Sequence, residues 1–101
     1  MTLRRAQVSR DPAAFEPFLA SSLHNLGNRL AELGQHDAAL VAAQEAVTLY
    51  RSLATHNPAA FESDLARSLH NLGTRLSALD QRDAALAVVQ EVATLHHTMA
   101  S

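Results

Sequence analysis

The chain duplicates itself at a fixed offset, and that constrains its fold more than any other feature. Asp11-Pro-Ala-Ala-Phe-Glu returns as Asn57-Pro-Ala-Ala-Phe-Glu, and Ser22-Leu-His-Asn-Leu-Gly returns as Ser68-Leu-His-Asn-Leu-Gly, 46 residues on in both cases. About 26 of the 45 positions from Asp11 to Thr55 match those from Asn57 to Ser101. A fixed period of this length marks stacked supersecondary units, each of which buries its apolar face against the next, rather than one closed globule. Such stacks build extended surfaces suited to holding other proteins.

Within each copy the apolar positions select helices. Leucines at 19, 23, 26, 30 and 33 step by four and three and so form one helical stripe, and the second copy repeats it at 65, 69, 72, 76 and 79. Pro17 suits the first turn of a first helix, helix A, because its missing N–H would be unsatisfied there anyway. Helix A is therefore expected to start near Glu16 and near Glu62. Gly34 supplies a left-handed stop after Leu33, whereas the second copy has Asp80, a poorer stop. A second helix, helix B, starts near Asp37 and Asp83, where a carboxylate meets the positive helix end. Its expected apolar positions are Leu40, Ala43, Val47, Tyr50 and Ala54, then Leu86, Val89, Ala93, His96 and Ala100. Asp11-Pro12 and Asn57-Pro58 break the chain between copies.

The expectation is an all-α fold of tandem antiparallel helix-turn-helix repeats, with helices near 16–33, 36–55, 62–79 and 82–99. One domain covers 1–101, as repeat 1 over 11–56 and repeat 2 over 57–101. Thr2-Leu3-Arg4-Arg5 aligns with Thr48-Leu49-Tyr50-Arg51, so 1–10 reads as the remnant of a preceding helix B.

Composition agrees. The chain is 48% hydrophobic with three Gly and three Pro, and only 4% aromatic, so its core must be Leu, Ala and Val in close helix contact. There is no cysteine, which removes disulfides, thiolate metal sites and a cysteine nucleophile. All eight basic residues are Arg, and a net charge of −2 is too balanced to imply nucleic acid or an anionic membrane as partner. No apolar run approaches the roughly 20 residues of a membrane span, and Met1-Thr-Leu-Arg-Arg leads into no signal-peptide core, so the cytoplasm is the default location.

The spacing of Leu23, Leu26-Gly27, Leu30, Gly34, Ala39 and Ala46, and of Leu69, Leu72-Gly73, Leu76 and Ala85, resembles the tetratricopeptide repeat signature. The long helix B ending Thr48-Leu-Tyr-Arg-Ser-Leu, followed by a Pro-containing entry to the next copy, looks like the longer repeats of kinesin light chains. It is also similar to arrays attached to NB-ARC-type signalling ATPases in bacteria and fungi. The period is 46 rather than about 34 residues, Leu23 and Leu30 stand where the family usually has large aromatics, and Val92 stands where the first copy has Ala46. The resemblance implies a helical-repeat α-solenoid fragment that binds a protein or peptide and carries no cofactor.

It also implies that the inner face of helix A holds the ligand, with the Asn before Leu-Gly, here Asn25 and Asn71, bonding a peptide backbone. By helical arithmetic Ser21, His24, Asn25, Asn28 and Glu32 cluster opposite the leucine stripe, and the second copy offers Arg67, His70, Asn71 and Thr74. A solvated helix face is the alternative. The stripe offers Arg67, with Arg29 and Arg75 at its margin, too little positive charge for a clamp on an acidic tail.

Six histidines raise the question of metal. His24 and His70 fall on successive helices A, too far apart to share an ion, and His96 and His97 point about 100 degrees apart, so no metal site is expected. No phosphate loop, nucleophile elbow or framed carboxylate pair occurs, so a non-catalytic module is expected, with Glu45 and Glu91 read as surface charge. A self-assembling structural repeat is the competing reading. Stacked repeats normally number about three and carry polar caps, whereas Val88, Val89, Val92 and Leu95 leave apolar surface at one end and Leu3 and Val8 at the other. A homo-oligomer, as a dimer, is expected from end-to-end packing or from hairpin exchange through Leu79-Asp80-Gln81.

Overall fold

The computed structural model describes residues 12–100, and side-chain burial over 15–97. Four α-helices follow one another: α1 (Pro12–Glu32), α2 (His36–His56), α3 (Pro58–Ala78) and α4 (Arg82–Ala100). There is no strand among the described residues. Helices α1 and α2 form the first antiparallel hairpin, and α3 and α4 form the second. The helix starts recur at the 46-residue offset. The expected remnant over 1–10 lies outside the described residues.

Both A helices begin four residues earlier than the sequence predicts, at Pro12 and Pro58 rather than at Glu16 and Glu62. A proline in the first helical turn forfeits no hydrogen bond, and the alanines after Pro58 are strong helix formers. Pro17 consequently lies inside α1 and not in its first turn. It removes one main-chain donor from the ladder there.

A single residue, Asn57, joins the repeats. Its N–H donates to the Leu53 carbonyl at 2.9 Å, closing α2, and its carbonyl accepts from the N–H groups of Ala60 and Phe61 at 3.2 Å each, opening α3. Its side chain makes no cap bond, so the capping role expected of Asn is filled by its backbone.

The two A-to-B turns are the same despite their different sequences. In the first, the Gln35 N–H donates to the Leu30 carbonyl at 2.9 Å and the Gly34 N–H to the Ala31 carbonyl at 3.0 Å, with Gly34 at φ 76°. In the second, Gln81 donates to Leu76 at 2.9 Å and Asp80 to Ser77 at 3.0 Å, with Asp80 at φ 61°. This 6→1 and 5→2 pairing is the Schellman stop. Asp80 therefore adopts the left-handed conformation that the sequence leaves to glycine, at a cost that Gly34 does not carry.

The hairpins close on small residues. Ala39, Ala42, Ala43 and Ala46 are all buried, and a Cβ on Gly27 would lie 3.4 Å from the Ala39 carbonyl oxygen. Helix α1 thus approaches α2 along a side free of bulk. The core continues through Val47, Tyr50, Leu53 and Ala54 of α2 into Leu65, Leu69, Leu72 and Leu76 of α3. Full burial of each such leucine stabilises the fold by roughly 1.5–3 kcal/mol relative to exposure. The core of the molecule therefore runs through the joint between the repeats.

Candidate interaction face

The polar residues of the two A helices fall into one open stripe. On α3, Arg67, His70 and Thr74 are exposed, at spacings of three and four, which puts them on one side of the helix. On α1 the equivalent positions are Ser21, exposed, and His24 and Asn28, both half-buried. Asn25 is exposed and Asn71 half-buried. The buried Asn71 Nδ2 has no hydrogen-bond partner, as is also true of Ser68 Oγ and Arg75 Nε, three and four residues away on the same side of α3. Asn71 therefore stands between the open stripe and the packed side. Thr74 Oγ1 donates to the His70 carbonyl at 3.2 Å, which fixes its hydroxyl along the helix.

Three of the residues singled out by sequence come together with two that sequence reasoning missed. Arg67 Nη2 lies 3.0 Å from Asp64 Oδ1 one turn earlier on α3. Tyr50 of α2 is only 3% exposed, and Ser21 of α1 and Arg67 of α3 both act on its phenol. His24 of α1 adjoins the same set, within the fields of Arg67 and Asp64. Its buried Nδ1 has no hydrogen-bond partner. Helices α1, α2 and α3 thus converge on one polar seam at the joint between the repeats. Tyr50 counts as an apolar helix B position in the sequence, although a buried phenol needs a partner for its hydroxyl, and that requirement was the available signal. Asp64 could be found from its i,i+3 relation to Arg67.

The seam perturbs its titratable groups. Burial pushes His24 below its ordinary pKa near 6.5, Arg67 pushes in the same direction, and Asp64 opposes both. Burial raises the Tyr50 phenol above its ordinary value near 10, the Asp64 carboxylate adds to that, and Arg67 and the hydrogen bonds from Arg67 and Ser21 oppose it. Both groups are therefore held neutral around pH 7 to 9, where the seam offers a neutral imidazole, a phenol and one internally paired cation.

In the second repeat the matching positions are open. His70 and His96 take the places of His24 and Tyr50, and with Ser63, Arg67 and Val92 they line a cleft of about 280 Å³. Among the described residues no group of three His, Cys, Asp or Glu could hold a metal ion. No described helix is long and apolar enough to cross a membrane.

The helical hairpins, their A and B registers and the glycine contact at Gly27 are those of a known repeat, and the family model for the tetratricopeptide repeat matches residues 19–54 and 65–99. The chain belongs to the tetratricopeptide repeat family. The two matched segments cover one hairpin each and together most of the chain. No curated protein and no solved structure matches it. Tetratricopeptide repeats are in general protein-interaction modules without catalytic activity, and this chain presents that framework twice.

Proposed function

We propose that this tetratricopeptide chain is a non-catalytic interaction module that receives an extended peptide or a partner helix along the open stripe of its A helices. The observation that carries the reading is the seam. Ser21, His24 and Arg67, from two repeats, share one electrostatic neighbourhood with Tyr50 and Asp64, beside a face on which His70 and Thr74 continue in register. A row of polar donors and acceptors suits the backbone and uncharged polar groups of a peptide. Arg67 is already paired to Asp64, so the stripe has little charge to spend on an acidic tail.

The test is selection of peptides from a random library on the folded chain, followed by anisotropy titration of the best binder. His24→Ala with His70→Ala is expected to weaken binding by tenfold or more, and Asn25→Ala with Asn71→Ala to weaken it too. Gln90→Ala, on the exposed side of α4, is expected to leave it unchanged. Equal affinity in all variants would sink the assignment of this face.

A self-assembling module is the second reading, favoured by one observation. Leu26 of α1 is 49% exposed, although its counterpart Leu72 on α3 is 8% exposed in the core.

A further inference from the structure

The side of α3 that packs on the preceding repeat recurs on α1 residue for residue. Leu65, Leu69, Leu72 and Leu76, with Ser68 and Arg75, occupy that side of α3, and Leu19, Leu23, Leu26 and Leu30, with Ser22 and Arg29, occupy the same positions on α1. All four leucines of α3 are buried and Ser68 is 1% exposed. On α1, Leu19, Leu23 and Leu30 are only half-buried, and Leu26 and Ser22 are exposed.

Beside this face runs an apolar groove of about 520 Å³ between α1 and α2, whose lining includes Leu19, Leu23, Val41, Glu45 and Leu49. The positions equivalent to Leu19, Leu23 and Leu49 in the second repeat are Leu65, Leu69 and Leu95, which belong to or pack against the core that α2 shares with α3. Glu45 is the counterpart of Glu91, which Arg51 of α2 grips at 2.6 Å. The one surface shown to fit such a face is a helix B of this chain.

The chain also carries a helix B whose outer side is open. Leu86 and Val89 of α4 are each 57% exposed, whereas their counterparts on α2, Leu40 and Ala43, pack against and belong to the core that α2 shares with α3. We propose that a second copy of this chain covers the α1 face with its α4, repeating between molecules the joint that α2 and α3 make within one. The inference rests on the self-assembling reading and names its surfaces. The two halves of the contact are different surfaces, so it is heterologous, and a heterologous contact that does not close into a ring adds copies without limit. Assembly is therefore head-to-tail and open-ended rather than the two-chain dimer expected from sequence. Val89 is bulkier than the alanine it replaces, so the second copy seats further out than α3 does. The contact is correspondingly weaker than the internal one.

The test is sedimentation velocity on the full chain over a range of concentrations, with Leu26→Asp disabling one face and Val89→Asp the other. The average mass of the unaltered chain is expected to rise steadily above 10.9 kDa with concentration. Each variant alone should stay monomeric. An equimolar mixture of the two should stop at a pair, because each contributes its one intact face. If either Asp variant loses its helical circular dichroism, Leu26→Gln and Val89→Gln take their place. A monomeric unaltered chain at high micromolar concentration overturns both the interface and the self-assembling reading. Association that saturates at a dimer, or that the mixture fails to restore, overturns the head-to-tail interface and leaves self-assembly standing.

Discussion

Arg51 of α2 and Glu91 of α4 tie the two B helices together with a forked ion pair: Nη1 lies 2.6 Å from Oε2 and Nη2 lies 3.3 Å from Oε1. The sequence reads Glu91 as ordinary surface charge, since nothing in a single helix shows what lies across the repeat boundary. Both side chains keep substantial exposure, at 53% and 38%, so the pair is screened. A double-mutant cycle with Arg51→Ala and Glu91→Ala, read by urea unfolding, should give a coupling of about 0.2–1 kcal/mol. That coupling should shrink toward zero in molar salt.

The two A-to-B turns make opposite predictions from the same geometry. Asp80 holds φ 61° where a side chain is disfavoured, so Asp80→Gly should stabilise the chain by about 1 kcal/mol. Its exposed contact to Arg82, at 3.1 Å, is a small loss against that gain. Gly34 has open space around its Cβ position but φ 76°, so Gly34→Ala should cost about 1 kcal/mol through backbone strain alone. Thermal unfolding of both variants checks the pair.

Leu23 and Leu69 occupy the same position in the two copies but not the same surroundings. Leu69 is fully buried at the joint, and Leu23 is half-buried on α1. Leu69→Ala should cost about 2–5 kcal/mol, enough to unfold a chain of two repeats, and Leu23→Ala markedly less. Equal costs measured by urea denaturation would contradict the burial of Leu69 between α2 and α3.

Repetition makes some of this structure readable from sequence and hides the rest. The period, the leucine stripe and Gly34 were legible because each is a local rule: helical spacing, or the one residue that tolerates positive φ. The start at Pro12 and Pro58 was misplaced because Pro17 offered a competing first-turn signal, and packing carried the helix through it. The open stripe of His24, Asn28, His70 and Thr74 was legible as the polar complement of the leucines. Tyr50 was not, because its hydroxyl acquires its role only when Ser21 and Arg67 arrive from neighbouring helices. The differing fates of Leu26 and Leu72 were invisible as well, since identical residues differ only in what stacks on them.

The last prediction is a pH dependence centred on His24. Its folded pKa is depressed below the ordinary value near 6.5, first by burial and then by Arg67, while Asp64 opposes both. The unfolded chain therefore binds a proton at this site more readily than the folded chain does, and stability rises with pH wherever that difference exists. The contribution is fully present above about pH 6.5 and is lost as the pH falls below it. Tyr50 sets the opposite edge: its folded pKa is raised above the ordinary value near 10, so its contribution is present below pH 10 and is lost as the pH rises through that folded value. Urea midpoints should therefore be higher at pH 8 than at pH 5, and should fall again at strongly alkaline pH. His24→Gln, which cannot titrate, should flatten the acidic limb and leave the alkaline limb in place. Tyr50→Phe should remove the alkaline limb but not the acidic one. If His24→Gln retains the full drop between pH 8 and pH 5, the acid sensitivity lies elsewhere and burial of His24 at the seam is not its cause.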